Sequence, residues 1–211
     1  MRIGMRTVRL GGLVVLLLGL ALPLRADEPA ATQTVETLHA ALLGVMKEAG
    51  TLGYQGRYDR LAPVLETHFD FPFMARFVLG PGWPALGPAD QQRWIEAFSR
   101  ITTATYAWRF KGYTGESFKT LGQEPAAQDT LFVRTVVDRT DADDVELTYR
   151  LRKTDAGWRI IDIYQKGTVS ELALRRSEYS AVLKRDGFET LLATVNAKLA
   201  GYAAGTATEP E

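Results

Sequence analysis

The stretch Val145-Glu146-Leu147-Thr148-Tyr149-Arg150-Leu151-Arg152 alternates apolar and polar side chains at every step. Successive side chains on a strand point to opposite faces, so a period of two means one buried face and one wet face. Asp155-Ala156-Gly157 follows at hairpin length, and Trp158–Lys166 continues as the partner strand. Strands this close in sequence pair antiparallel. Upstream, Ser117–Gln123 and Thr130–Asp138 read as two further strands of the same meander.

Helical spacing brackets these strands on both sides. Val35, Leu38, Leu42, Val45 and Met46 place a helix over Thr34–Ala49, and Leu61, Val64 and Leu65 place another over Arg57–His68. Pro72 opens a short helix that ends at Gly80, and the next stretch, with Pro81, Gly82, Pro84 and Gly87, is a turn-rich loop around Trp83. Pro88 and Asp90 begin a long helix whose stripe is Trp94, Phe98, Ile101, Thr105 and Trp108, ended by Gly112. Thr168-Val169-Ser170-Glu171 has the form of a capping box and predicts a helix bearing Leu172, Tyr179, Val182 and Leu183. A last helix covers Phe188–Leu199. Helices, then a strand meander, then helices make an α+β chain: a curved antiparallel sheet covered by several helices, enclosing either a packed core or an apolar cavity.

The first residues carry a different signal. Arg2, Arg6 and Arg9 precede an apolar run from Leu10 to Leu24, which closes on Arg25-Ala26 before Asp27. A basic start, a short apolar run and a small residue at the cut form a secretory signal peptide over residues 1–26. The run falls short of the ~20 apolar residues of a spanning helix. The chain has no cysteine, so neither a disulfide nor a lipidated thiol is available to it. It carries 25 basic and 25 acidic side chains, and losing the four leader arginines leaves the mature chain mildly acidic. That balance argues against nucleic acid as a partner.

Catalytic constellations are scarce. His39 and His68 are the two histidines, and His39 has no histidine or carboxylate at i+3 or i+4 to make a zinc face. The sequence contains no G-x-S-x-G elbow and no phosphate loop of the G-x-x-x-x-G-K type. Asp141, Asp143 and Asp144 fall in a hairpin loop and read as a solvated turn, with calcium a weak second reading. Asp162 is the polar exception in an apolar strand, on the face of Trp158, Ile160 and Tyr164. Two readings stay open for it. One is a hydrogen-bonded carboxylate that caps a helix or pairs with Arg76 or Arg93. The other is a general acid or base, working with Tyr164 or Tyr149 in an exported small-molecule enzyme.

Phe69-Asp70-Phe71, Met74-Ala75-Arg76, Leu79-Gly80, Trp83 and Gln92-Arg93 resemble the N-terminal signature of the MlaC, or toluene-tolerance, family of periplasmic phospholipid-binding proteins. Gly157-Trp158-Arg159-Ile160-Ile161-Asp162-Ile163 and Gly167 resemble its C-terminal strand and turn. The family's Gly-Val-Ser step is interrupted here by Thr168. Val169-Ser170-Glu171-Leu172-Ala173 and Arg175-Arg176-Ser177-Glu178-Tyr179 are most similar to the hopanoid-associated HpnM branch.

The resemblance implies a soluble periplasmic shuttle that carries a phospholipid or hopanoid-type lipid between membranes and is not an enzyme. Bound lipid is then its cargo, with no other cofactor. Its partners are an inner-membrane transporter, of MCE-type ABC or RND type, and an outer-membrane lipoprotein complex. The domain plan is a signal peptide over 1–26, a single lipid-carrier domain over 27–200 and a flexible tail over 201–211. A non-enzymatic envelope adaptor without a small ligand is the alternative. A carrier needs large apolar side chains converging from helices and sheet. The expected ligand-binding residues are Phe73, Phe77, Trp94, Phe98, Ile101, Leu147, Tyr149, Trp158 and Ile160.

Overall fold

A computed structural model describes residues 28–140 and 142–207. The expected leader at 1–26 and Asp141 of the acidic turn lie outside the described residues. Helices α1 (Glu28–Lys47), α2 (Ala49–His68), α3 (Phe71–Leu79) and α4 (Pro88–Arg109) come first, with a 3₁₀ turn at Gly80–Ala85. Strands β1 (Ser117–Ala126), β2 (Thr130–Asp138), β3 (Val145–Thr154), β4 (Gly157–Gln165) and β5 (Val169–Ser170) follow, and α5 (Glu171–Asp186) and α6 (Phe188–Ala204) end the fold. The strands form one open antiparallel sheet in the order β1-β2-β3-β4-β5. This is the α+β architecture that the alternation in β3 predicts.

The helices are longer than their apolar stripes. α2 begins eight residues before the expected Arg57, because a short helical segment from Ala49 adjoins the expected helix across a kink at Gly53, whose backbone (φ +58°) is non-helical. Arg57 is buried beneath that bend. Its Nε donates to the Ala107 carbonyl at 2.9 Å and its guanidinium also reaches the Ala49 carbonyl, so it ties α2 to the end of α4. α6 runs past the expected Leu199 to Ala204, with Tyr202 buried. The segment expected to fray from Gly201 is therefore helical at its start. It is then closed by Gly205, whose left-handed backbone lets Thr206 and Ala207 donate to the Gly201 carbonyl.

Two local details depart from simple periodicity. Leu151 pairs with Ile160 but Arg150 pairs with Asp162, so Ile161 is an extra residue on β4. The bulge reverses parity. Ile160 and Ile163 share the face of Tyr149 and Leu151, and Asp162 takes the face of Arg150 instead of the expected face of Ile160. The cap of α5 also shifts: Ser170, not Thr168, accepts from Ala173 N at 2.9 Å. Val169 and Ser170 are still paired with Gln165 and Tyr164, so the helix cannot start earlier.

The core gathers where α4 crosses behind the sheet. Trp94, Phe98, Phe71, Phe69 and Tyr106 form a chain of ring contacts with neighbouring centroids 5.7–6.3 Å apart. The Trp94 indole is satisfied by the Ala75 carbonyl at 2.9 Å. At the other end of the sheet His39 is buried, stacked on Phe118 at 4.2 Å, and shares a 3.0 Å hydrogen bond with the Tyr149 hydroxyl.

Burial holds the His39 pKa down at about 4, so the folded protein keeps it neutral. The unfolded chain binds that proton near pH 6.5. Stability from His39 is therefore complete above pH 6.5 and is lost as pH falls towards 4, by about 3 kcal/mol. Urea unfolding between pH 7 and pH 4 should show this loss, and His39→Gln should flatten it.

Candidate functional site

Three helices and the end of one strand leave a gap. α4 supplies Ile101, Thr105 and Arg109. α5 supplies Glu171, Leu174, Arg175, Glu178 and Tyr179. α6 supplies Thr194, Ala197, Lys198, Gly201 and Tyr202, and Gln165 closes the strand end. Thr206 and Ala207, turned back by Gly205, complete the wall. The cleft has a volume of about 850 Å³ and opens to solvent. Ligand pockets span about 300–1,000 Å³, so this one is large enough for a drug-sized or larger apolar molecule.

The floor and the rim differ. Ile101, Thr105, Tyr179 and Tyr202 are almost fully buried and make the floor. Tyr179 meets Trp94 edge-on at 5.3 Å, which joins the floor to the aromatic core. The rim is charged. Arg109 pairs with Glu171 at 2.8 Å, Gln165 also donates to Glu171, and Lys198 pairs with Glu178. Leu174 projects at the edge, 59% exposed.

Glu171 and Arg175 also line a second space of about 20 Å³, together with Phe69, Met74, Thr102, Tyr106, Asp162, Ile163 and Leu172. The Thr102 hydroxyl in its wall has no hydrogen-bond partner. This small void lies between β4 and the helices, and the larger opening lies among α4, α5 and α6.

The nine expected ligand-binding residues distribute unevenly. Ile101 lies on the cleft floor. Trp94, Phe98, Tyr149 and Ile160 are packed in the core, and Leu147 and Trp158 are partly buried against it. Phe73, partly buried against the core, stacks on the exposed Phe77 of α3. Arg152 lies over Phe73 at 4.9 Å and Arg176 over Phe77 at 4.8 Å. The sequence reading passed over Arg175, Lys198 and Ala197. For Ala197 and Lys198 the signal was a helical stripe in α6, Thr194-Ala197-Lys198-Gly201-Tyr202, whose small residues leave room against a neighbouring helix.

Asp162 is used for structure. Oδ1 accepts from Leu172 N at 3.1 Å and from Ile163 N at 2.8 Å, and Oδ2 accepts from the Ser170 hydroxyl at 2.6 Å. Burial pushes its pKa up, and the donors from Ser170, Leu172 and Ile163 pull against that rise. It caps α5, one of the two structural roles open to it. Arg76 is exposed on α3, and Arg93 is engaged with Asp90 and Glu189, so neither pairs with it. Among the described residues no group of three or more His, Asp or Glu side chains is placed to hold a metal, and no helix is long and apolar enough to cross a membrane.

The family model of the MlaC protein matches residues 36–197. The chain belongs to the MlaC family. No curated protein matches it. Among solved structures, the phospholipid-binding protein from Ralstonia solanacearum, determined in complex with a phospholipid, is similar. Its TM-score is 0.71 at 23% identity, over 82% of this chain and 98% of that one. The MlaC-family fold therefore places the cleft described above within the matched part of the chain, apart from its last few lining residues.

Removing the Asp162 carboxylate strands the Leu172 N–H and the Ser170 hydroxyl. Asp162→Ala should cost about 2–3 kcal/mol in urea unfolding, whereas Asp162→Asn, which keeps one acceptor oxygen, should cost about 1.

Proposed function

We propose that this chain is a lipid-binding carrier, exported to the periplasm by residues 1–26, that shuttles a phospholipid or hopanoid-type lipid between membranes. The observation that carries this reading is the open cleft of about 850 Å³, with its aromatic floor and charged rim, in a MlaC-family fold. A free acyl chain of ~16 carbons costs about 13 kcal/mol to keep in water, at roughly 0.8 kcal/mol per CH₂. A carrier lowers that cost by substituting apolar wall for water, which requires no nucleophile or metal.

The solved relative from Ralstonia solanacearum holds a phospholipid, which favours the same class of cargo here. The run Glu171–Tyr179 favours the HpnM branch and a hopanoid-type lipid. The carrier would exchange cargo with an inner-membrane transporter, of MCE-type ABC or RND type, and with an outer-membrane lipoprotein complex. Ile101 is assigned to the lipid-facing wall. Trp94 and Phe98 back the floor residue Tyr179 through ring contacts. The enzymatic alternative is disfavoured because both Asp162 carboxyl oxygens are already engaged in capping α5.

Native mass spectrometry of the mature protein, purified without detergent, is the direct test. A mass excess equal to a lipid is expected. Ala197→Trp, which fills the cleft from an exposed position, should remove that excess while the urea midpoint stays within about 0.5 kcal/mol of the original stability. A clean mass that does not change after incubation with lipid vesicles would favour an adaptor without a small ligand.

A further inference from the structure

The charges lining the cleft do not cancel. Arg109, Arg175 and Lys198 face Glu171 and Glu178. Each carboxylate has its own cation: Glu171 is held by Arg109 and Glu178 by Lys198. Arg175 is left without a carboxylate at ion-pair distance among the described residues. Its sole hydrogen bond there is a long one of 3.5 Å to the Tyr179 hydroxyl. A guanidinium has five N–H donors in a fixed planar fork, matched to the oxygens of a phosphate. Most of those donors are unused, and the side chain lines the cleft.

Lys198, paired with Glu178, stands on the other side of the same tyrosine. Its ammonium lies 5.9 Å from the centre of the Tyr179 ring, so the two cations flank one buried tyrosine, Arg175 at the hydroxyl and Lys198 over the face. Arg175 and Glu171 both stand at the neck between the cleft and the small void, and Glu171 is already held by Arg109 and Gln165. An anion held there would be shielded from bulk water on its inner side, where charge-assisted hydrogen bonds are strongest.

We propose that Arg175, assisted by Lys198, forms an anion subsite in the cleft that binds the phosphate of a lipid headgroup. This rests on the carrier reading and adds a selectivity to it: phosphate-bearing lipids are taken in preference to neutral lipids of the same chain length. The chemistry is shared with free phosphate, so the test separates the two.

The delipidated mature protein is titrated calorimetrically with dihexanoyl phosphatidylglycerol, with dihexanoylglycerol and with inorganic phosphate. The wild type should prefer the phosphatidylglycerol. Arg175→Gln should reduce that preference by roughly tenfold or more, and Arg175→Lys, which keeps the charge but loses the fork, should retain part of it. Circular dichroism checks that both variants fold. If Arg175→Gln does not fold, the wild-type preference and the Arg175→Lys variant decide. Equal binding of both lipids by the wild type would overturn the subsite and leave the carrier reading standing. Inorganic phosphate binding as tightly as phosphatidylglycerol would overturn the headgroup assignment. Binding of neither lipid would end the carrier reading and the subsite with it.

Discussion

A single buried carboxylate ties the sheet of this protein to the helices that make its cleft. Asp162 sits on β4, accepts from the backbone of α5 and from Ser170 on β5, and so fixes where α5 leaves the sheet. Isolating an ionised carboxylate from water costs several kcal/mol unless donors replace the water. Here the donors are the Leu172 N–H, one of the unpaired groups that every helix leaves at its start, the Ile163 N–H and the Ser170 hydroxyl. Two costs offset each other, and the geometry that results aims one face of α5, with Glu171, Arg175 and Tyr179, at α4 and α6.

The strands and the α+β class were readable because period-two and period-3.6 patterns are strong wherever one face is buried. The bulge at Ile161 was not readable. Four consecutive residues, Ile160 to Ile163, are all buried, and the apolar members of that run mask a parity change. The cap at Ser170 was missed by two residues because a short edge strand, β5, takes up Val169 and Ser170 before the helix starts. The end of α6 was missed because Ala, Gly and Thr resemble a frayed terminus in composition, while Tyr202 supplies the burial that holds the helix.

The candidate site was less legible than the fold, for a physical reason. Large apolar side chains mark a core and a pocket alike, and Trp94 and Phe98 went to the core. A cleft between helices is written instead in what is small, such as Ala197 and Gly201, and in charges that face inward, such as Arg175 and Lys198. On paper those residues read as an ordinary solvated helix face. Of the aromatic pair on α3, Phe73 is partly buried against the core and Phe77 is exposed, each beneath an arginine.

The length of the last helix has a consequence for capacity. Ala200–Ala204 extends α6 by about 7.5 Å at 1.5 Å per residue, and the Gly205 turn then folds Thr206 and Ala207 inward as the end wall of the cleft. The far boundary of the binding volume is thus a helix terminus and not part of the sheet. A turn of helix added or deleted there moves that wall by about 5.4 Å. This fold can change the length of the cleft at its C-terminal end, leaving sheet register and aromatic core as they are.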